Sequence, residues 1–440
     1  MHKLTELIKN DMLPALGVTE PGAIAFSVAK VKEYIKGDLI SINVSLNSGI
    51  YKNAFTCGIP NSNKYGNVFA AALGFVAGDA SLGLQSLKNV KEEDNLSAQK
   101  LIDDKKVTIT LDSISSKIFI KTTIITTDGS ASITIRDSHT NITKIEVNDK
   151  IILETEDEKI SKTKDKIEDK ESKISKLESC TEKEIHKYTL AQLLDYVNTV
   201  PLSEIEFVKD AYKVNLDLFE EGLNSPRTTF ARALKQLNGD KIFSENEKDT
   251  ASLLCNAAIE ARVLGLDKPA MSITGSGAHG IIATMPLYAV YKINSLSEEK
   301  LYRATMLSYL ICTYIKEYSG RLSAFCGCAI AAGSGMACGL VYLKDGGLKE
   351  MEYTINNMAS SITGMICDGG NEGCTMKGIV ACDAAFKSVE LAMKGVHINK
   401  IHGINGNTIE ETMRNMGLIA SPGMIGTEKT IVEIFENKLK

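Results

Sequence analysis

A change of hydrophobic period between Val107 and Leu153 is the feature that most constrains how this chain can fold. Apolar and polar residues alternate there in the segments KVTITL, KIFIKTTIITT, SASITI and KIEVND, which is the pattern of half-buried β-strands. An Asp-Gly pair at 128–129 separates two of these segments and indicates a hairpin turn. The sequence therefore predicts a β-rich unit.

Helical patterns dominate on both sides of this unit. Residues 1–35 read as helical, DLISINVSLNSGI alternates like a strand, and NVFAAALGFVAG reads as a buried helix. From about Ser179 onward, long apolar helices alternate with Gly-rich loops. We predict an α+β fold class, with a mostly helical catalytic domain and a smaller β-rich α/β domain.

The predicted organisation has four parts. They are the helical or α+β N-terminal part of the catalytic unit (1–104), a β-rich domain or insertion (105–153), a charged linker or solvated helix (154–180), and a helical catalytic domain with Cys- and Gly-rich loops (181–440). The third part carries 16 charges in the 25 positions from 154 to 178. A coiled coil needs two apolar positions per heptad, and this segment has essentially one.

Composition restricts the possible partners. The formal net charge of −5 over 440 residues does not suggest the concentrated basic face that nucleic-acid binding needs, so no nucleic-acid partner is expected. The N-terminus lacks the apolar core of a signal peptide, which predicts a cytoplasmic protein.

The uncharged run from Ala324 to Tyr342 is long enough for a membrane span, but its Gly, Ala and Cys content favours a buried helix. We expect no membrane partner, and a homodimer is the expected assembly.

Four of the ten cysteines lie in two Gly-containing loops, FCGC (325–328) and CDGGNEGC (367–374). A reducing cytosol argues against a disulfide framework, and these spacings fit the CxxC knuckles of a zinc site poorly. Iron–sulfur clusters accept more varied spacings, whereas cysteine also fills cores as a small apolar residue. The spacing alone leaves both interpretations open for the four thiols, which belong to Cys326, Cys328, Cys367 and Cys374.

The segment TGSGAHGIIATMP (274–286) is a Gly/Ser-rich loop that runs into an apolar helix. Free backbone amides at such a junction suit a carboxylate or a phosphate. The segment lacks the GK[ST] of a P-loop and the surroundings of a dinucleotide-binding fingerprint. His279 stands in this loop and is a candidate acid–base group, although a lone histidine also suits a structural role.

Two N-terminal segments, ALGVTEPGAIAF (15–26) and NSGIYKNAFTCGIPNS (47–62), contain further polar candidates. Thr19 and Glu20 precede Pro21, as N-cap and first-turn residues of a helix would. Lys52 could bind a substrate carboxylate through an ion pair, and Asn53, the next residue, could add an amide. Taken alone, each of these residues also suits an ordinary structural role.

Six segments in order, PALG-x-TEP, YKNA…GIP, GSGAHGIIATMP, LSAFCGCAIAAG, CDGGNEGC and MGLIASPGM, extend along nearly the whole chain outside 105–180. Together they resemble the iron–sulfur L-cysteine desulfidase family, which is related to the alpha chain of bacterial iron–sulfur L-serine dehydratases. The resemblance implies a [4Fe–4S] cluster held by only three cysteines, namely Cys367, Cys374 and either Cys328 or Cys326.

The resemblance also implies a lyase that converts a small amino acid, such as L-cysteine or L-serine, to pyruvate, ammonia and sulfide or water. An iron without a protein ligand would act as a Lewis acid on the leaving group, and a base would remove the α-proton. The predicted catalytic residues are His279, Lys52 and Glu20, and the predicted substrate contacts are Thr19, Asn53, Ser276, Gly277 and Ala278.

One position departs from the family pattern. The desulfidase motif has a cysteine between ALG and TEP, a candidate catalytic base, and this chain has Val18 there. Cys57 could replace it only if the fold brings it close. Two alternatives therefore stand beside the lyase. The chain could be a non-catalytic or differently specific small-metabolite-binding member of the same fold, or a protein whose cysteines only pack and whose Gly loops bind an anion.

Overall fold

The computed structural model describes residues 1–156, 158, 183–320 and 322–438. The predicted charged part, 154–180, lies almost entirely outside the described residues. The strands are β1 (Leu13–Leu16), β2 (Leu39–Asn47), β3 (Val107–Ser113), β4 (Phe119–Thr126), β5 (Gly129–Arg136), β6 (Ile142–Val147), β7 (Lys150–Glu154) and β8 (Pro269–Ser272).

The helices of the first third are α1 (Lys3–Asp11), α2 (Thr19–Lys32), α3 (Ser48–Ala54), α4 (Asn67–Ala77) and α5 (Glu92–Asp103). Those of the C-terminal part are α6 (Leu190–Thr199), α7 (Leu202–Ile205), α8 (Lys209–Asn224), α9 (Phe230–Leu237), α10 (Glu247–Val263), α11 (Gly277–Ile293), α12 (Glu298–Ser319), α13 (Gly333–Leu343), α14 (Leu348–Ile362), α15 (Gly373–Ala392), α16 (Ile409–Leu418) and α17 (Ile425–Asn437). The predicted α+β, mostly helical class is confirmed.

A six-stranded mixed sheet has the strand order β3-β2-β4-β5-β6-β7. The predicted hairpin is confirmed, because Thr126 pairs with Gly129 across the turn between β4 and β5. β2 runs parallel to β3 and antiparallel to β4, so one inner strand comes from the predicted 1–104 part. Buried isoleucines of one sheet face, such as Ile120 and Ile133, join α2 and α4 in a common core.

The larger core lies among the C-terminal helices, where α10, α11 and α12 are buried along most of their length. The Ala324–Tyr342 run forms a π-helical turn (Cys328–Ala332) and most of α13, which confirms the predicted buried helix. Gly335 allows this close packing, since a Cβ there would lie 2.2 Å from the Ser308 carbonyl oxygen. In the described residues, no helix is long and apolar enough to cross a membrane.

A two-stranded antiparallel sheet, β1–β8, joins the N-terminus to the C-terminal helices. Leu13 pairs with Ser272 and Leu16 with Pro269. The helical prediction was wrong for these four N-terminal residues. So short a segment shows no alternation, and its strand depends on a partner more than 250 positions away. This pairing brings the ALGVTEP and TGSGAHG segments together.

Candidate functional site

The two cysteine loops lie side by side and are joined through their backbones. The Cys326 amide donates to the Met365 carbonyl at 3.1 Å, and the Cys367 amide donates to the Ala324 carbonyl at 2.6 Å. Cys328 opens the π-helical turn that leads into α13, and Cys374 lies in the first turn of α15. The fold therefore brings loops 325–328 and 367–374 to one place.

The four thiols perturb one another electrostatically. The hydrogen bond with Cys326, together with burial and the nearby Cys374 and Cys367, raises the pKa of Cys328 well above its usual value. The same hydrogen bond lowers the pKa of Cys326 to about 7, against the effect of burial. Burial raises the pKa of Cys374 to about 11. The thiols thus influence one another's ionisation, and Cys326 is buried while Cys328, Cys367 and Cys374 are half-buried.

A cation accompanies the thiols. Lys377, on α15, forms an ion pair with Asp368 of the adjacent loop. Burial alone would lower the pKa of Lys377, but Cys374, Asp368 and Cys367 raise it. Lys377 in turn lowers the pKa of Cys374. A permanent positive charge here favours thiolates, the form in which cysteine binds metals.

The backbone of the 367–374 loop is fitted closely to its surroundings. Gly369 has φ +107°, and a Cβ there would lie 2.6 Å from the Lys52 carbonyl oxygen. A Cβ at Gly370 would lie 2.7 Å from a methyl carbon of Val18. Within the described residues, no three His, Cys, Asp or Glu side chains form a group that could hold a metal ion. The thiols of the two loops nevertheless influence one another electrostatically beside a cation, and cysteine thiolates are the ligands that iron–sulfur clusters use.

Glu20 lies at the centre of a polar network at the start of α2. The N-cap position is Val18, without a side-chain cap, so the expected capping role of Thr19 is wrong. Thr19 Oγ1 instead donates to Glu20 Oε2 at 2.9 Å, and Asn53 Nδ2 donates to Glu20 Oε1 at 2.8 Å. Burial would raise the pKa of Glu20, but His139, Asn53 and Arg262 lower it to about 2. Glu20 is therefore an ionised, buried carboxylate.

His139, which the sequence analysis missed, comes from the turn between β5 and β6. Its Nε2 lies 3.8 Å from Glu20 Oε1, and the side chain is 5% exposed. Among the described residues, this nitrogen has no hydrogen-bond partner. The segment RDSHTN gave no signal beyond an isolated histidine in a polar turn. Through His139 the six-stranded sheet contributes to the same polar network.

His279 lies in the first turn of α11, beside the FCGC loop. Its Nδ1 is hydrogen-bonded to Thr274 Oγ1, and a Cβ at Gly327 would lie 2.7 Å from its Nε2. Burial, reinforced by the charges of Lys316 and Arg262, lowers the pKa of His279 well below its usual value. The imidazole is therefore neutral at physiological pH, with one nitrogen beside the cysteine loops.

The backbone before α11 is held in an unusual conformation. Thr274 has φ +52°, a left-handed conformation that is rare for a β-branched residue. Its amide donates to Asp11 Oδ2. Ser276 occupies the N-cap position without a side-chain cap, and Gly277 and Ala278 open the helix and are buried. The strained loop presents uncapped amides at the start of α11.

Lys52 is fully buried and has a partner that the sequence analysis missed. Its Nζ donates to Glu428 Oε2 on α17 at 2.7 Å and to the Ser323 carbonyl at 3.0 Å. Asn53, the next residue, faces Glu20 and also lies 3.8 Å from the Cys367 sulfur through its Oδ1. The pair of residues 52–53 therefore links α17, Ser323 just before the FCGC loop, and the CDGGNEGC loop.

Val18, which stands where the desulfidase motif has a cysteine, lies against one of the cysteine loops. Val18 is 2% exposed and packs against Gly370, inside the cysteine-rich loop. Cys57 is also buried, and its Sγ donates to the Ala54 carbonyl at 3.6 Å. Burial and the charge of Glu20 raise the pKa of Cys57 well above its usual value. Cys57 therefore stays a protonated thiol, which argues against its acting as the missing base.

The fold and the site define a mostly helical α+β protein with a cysteine-rich polar centre. This chain belongs to the serine dehydratase alpha chain family, whose model matches residues 83–433. The relationship indicated by the sequence motifs is thereby confirmed.

Similar proteins extend over almost the whole chain. A UPF0597 protein of Clostridium botulinum strain Langeland is 42% identical over 431 residues, which are 98% of this chain and 97% of that protein. UPF0597 proteins of Caldanaerobacter subterraneus and Clostridioides difficile are 34% and 32% identical, over 99% of this chain and 98% and 99% of theirs.

Proposed function

We propose that this protein is an iron–sulfur lyase that eliminates water or sulfide from a small amino acid such as L-serine or L-cysteine. L-cysteine would give pyruvate, ammonia and sulfide, whereas L-serine would give pyruvate and ammonia, because the water that is eliminated is balanced by the water consumed when the enamine is hydrolysed. The observation that carries the proposal is the joining of the FCGC and CDGGNEGC loops through two backbone hydrogen bonds, with His279 beside them. Membership of the serine dehydratase alpha chain family supports the same reaction class.

Cys367 and Cys374, with Cys326 or Cys328, would hold a [4Fe–4S] cluster. When bound with one iron free of protein ligands, such a cluster supplies a Lewis acid for the leaving hydroxyl or thiol. Lys377 would stabilise the ligating thiolates, and the close fit of Gly369 would hold the loop in its ligating shape.

His279 is the proposed base for the α-proton. When Thr274 accepts the proton of Nδ1, Nε2 is left as the basic nitrogen, and this nitrogen is the one beside the FCGC loop. A neutral imidazole can accept a proton across the whole physiological range. The electron pair of the Cα–H bond then forms the Cα=Cβ bond as the Cβ–O or Cβ–S bond breaks. The resulting enamine tautomerises and is hydrolysed to pyruvate and ammonia without further catalysis.

Glu20 and His139 form the proposed second polar pair. The ionised Glu20 would orient His139 and attract the substrate ammonium group. Thr19 and Asn53 would hold the two carboxylate oxygens of Glu20 in place. This arrangement uses all four side chains in positioning and leaves proton abstraction to His279.

A second candidate function follows from one observation. Val18 places two methyl groups against Gly370 where a thiol would otherwise face the cysteine loop, so a desulfidase base is absent from that position. A member of the fold with another specificity, or one that binds a small metabolite without converting it, is the corresponding alternative.

Anaerobic purification followed by iron, sulfide and pyruvate assays tests the proposal. We expect about four irons per chain, broad visible absorption, and pyruvate formation from L-serine or L-cysteine. Cys367→Ser should lose iron and activity together. Cys338→Ser is the matched control, because Cys338 is a buried cysteine in the interior of α13 and should leave the iron content unchanged.

Two results separate the candidates. An iron-free protein after anaerobic purification and reconstitution would contradict the cluster and the lyase together. An iron-loaded protein that forms no oxo acid from serine, cysteine or threonine would favour the alternative function. A homodimer and a cytoplasmic location are further proposals, which light scattering and cell fractionation test.

A further inference from the structure

Arg262 is a buried cation to which neither the sequence motifs nor the proposed reaction gives a direct role. It lies in the last turn of α10 and is 3% exposed. Among the described residues, its Nε has no hydrogen-bond partner, and no carboxylate forms an ion pair with its guanidinium. Burying an unpaired charge is unfavourable, so a guanidinium in this state can accept an anionic partner.

The guanidinium lies against the first residue of α11. A Cβ at Gly277 would lie 2.8 Å from Arg262 Nε and 3.2 Å from its Cδ, so only glycine leaves room for the arginine there. The amides of Gly277, Ala278 and His279 have no acceptor within their own helix, and Ser276 does not cap them. α11 has 17 residues, so its N-terminus carries a partial positive charge beside the arginine. One anion could therefore interact with both the helix N-terminus and the guanidinium.

Glu20 is not the missing partner. Its Oε2 accepts from Thr19, and its Oε1 accepts from Asn53 and faces His139. Arg262 acts on Glu20 only through its charge, which helps to lower the pKa of that carboxyl. The same charge helps to lower the pKa of His279. The positive charge of Arg262 therefore acts on both Glu20 and His279, while the N–H groups of its guanidinium remain free to donate hydrogen bonds to a ligand.

We propose that Arg262 and the first turn of α11 bind the carboxylate of the amino-acid ligand. A guanidinium can hold a carboxylate through two parallel hydrogen bonds, and the helix amides add further donors. Naming the ligand as an amino acid rests on the proposed function, whereas the unpaired arginine and the uncapped helix stand without it. Lys52, the cation that the sequence suggested for this task, is already bound to Glu428.

A carboxylate bound at Arg262 would fix the position of the substrate relative to His279. Gly277, against which Arg262 packs, is two residues before His279 on the same helical turn. A carboxylate held there would place the adjacent Cα–H close to the imidazole. Fixed placement of the two reacting groups in this way is a large part of what an active site contributes to rate.

Calorimetry with L-alanine tests the proposal without turnover, because L-alanine has the amine and the carboxylate but no leaving group. L-alaninamide, which lacks the negative charge, is the paired probe. We expect the wild-type protein to bind L-alanine and to bind L-alaninamide far more weakly. Arg262→Gln should weaken L-alanine binding about 10- to 150-fold, the usual loss for hydrogen bonds to a charged group. Arg262→Lys should keep only part of the wild-type affinity for L-alanine.

Arg227→Gln is the matched control, since Arg227 donates to the Leu264 carbonyl nearby and should leave L-alanine binding unchanged. If Arg262→Gln fails to fold by circular dichroism, Gly277→Ala replaces it. Its new Cβ displaces the guanidinium and should weaken L-alanine binding while keeping the charge. Equal binding of the two probes by wild type, binding of neither, or unchanged L-alanine affinity in the variant that folds would each overturn the proposal.

The proposed function fails by a different result. A protein that forms no pyruvate but binds L-alanine through Arg262 would retain the carboxylate site and lose the lyase assignment. A protein that forms pyruvate from L-serine with KM unchanged by Arg262→Gln would retain the lyase and lose the carboxylate site.

Discussion

Lys52 and Glu428, 376 positions apart in the sequence, form an ion pair of 2.7 Å with side-chain exposures of 0% and 6%. The pair ties α3 to α17, and stacking of Phe55 on Phe435 at 4.7 Å reinforces the same junction. The last helix is thereby fixed to the segment that also holds Asn53. A cation that looked like a substrate ligand in the sequence therefore has a structural partner.

Glu428→Ala should be strongly destabilising, because it leaves Lys52 as an uncompensated buried charge. We expect a loss of about 3–5 kcal/mol in the free energy of unfolding, measured by urea denaturation. Glu433→Ala is the control, since Glu433 is 56% exposed in its ion pair with Lys429 and should change stability by less than about 1 kcal/mol. Similar midpoints for the two variants would show that the buried pair has no special weight.

Protonation of Glu20 should lower the free energy of unfolding in acid solution. Its pKa in the folded protein is about 2, against an ordinary value of 4.5. Its contribution is therefore fully present above pH 4.5 and is lost as the pH falls towards 2. Glu20→Gln should lower stability at pH 7 by on the order of 3 kcal/mol and flatten the acid side of the profile. Thermal denaturation from pH 2 to 7 measures this, and Glu433→Gln, at an exposed site, should keep the wild-type profile.

Gly369→Ala should disrupt the cysteine loop. The new Cβ meets a backbone oxygen at 2.6 Å, and φ is +107°, so neither the contact nor the conformation can adjust cheaply. We expect a marked loss of bound iron after anaerobic reconstitution. Gly395→Ala is matched to it, because Gly395 has φ +75° with nothing within 4 Å of its Cβ position. Equal iron content in the two variants would count against the role of this loop.

Val18→Cys should increase sulfide release from L-cysteine. Cysteine is smaller than valine, so the side chain fits against Gly370 without a clash and places a thiol beside the cysteine loops. Val18→Ala opens the same space without a thiol and should give no increase. If both variants release sulfide at the wild-type rate, position 18 does not determine this activity.

His279→Gln should lower kcat by roughly 100- to 10,000-fold, the usual contribution of a general base, with iron content unchanged. Because burial holds the pKa of His279 well below its usual value, the imidazole is already in its basic form at pH 6.5. The wild-type kcat should therefore be flat from pH 6.5 to 8 and fall only in more acid solution. His402→Gln, at an exposed position, is the control. A rate that rises steeply between pH 6 and 7 would point to another base.

Sequence reasoning succeeded where the signal is local. The alternating strands, the Asp-Gly hairpin and the helix after TGSGAHG can each be read within about a dozen residues. The two cysteine loops stood out because glycine and cysteine are combined there at unusual density. Each of these features depends on the residues around it rather than on a distant partner.

The features that were missed depend on contacts between distant segments. β1 exists because β8 pairs with it, and His139 matters because a turn of the sheet reaches Glu20. Arg262 stands out only when α11 is seen to begin against it. Periodicity and spacing carry no information about such pairings, so no closer reading of the sequence would have supplied them.

The pairing of Leu13 with Ser272 also sets an order of events during synthesis. When the ALGVTEP segment leaves the ribosome, its strand partner has not yet been translated, and neither have FCGC, CDGGNEGC and Glu428. Contacts of such sequence separation form late. The nascent chain therefore exposes its first half of the polar centre long before the second half arrives, so any metal incorporation must wait until translation is nearly complete.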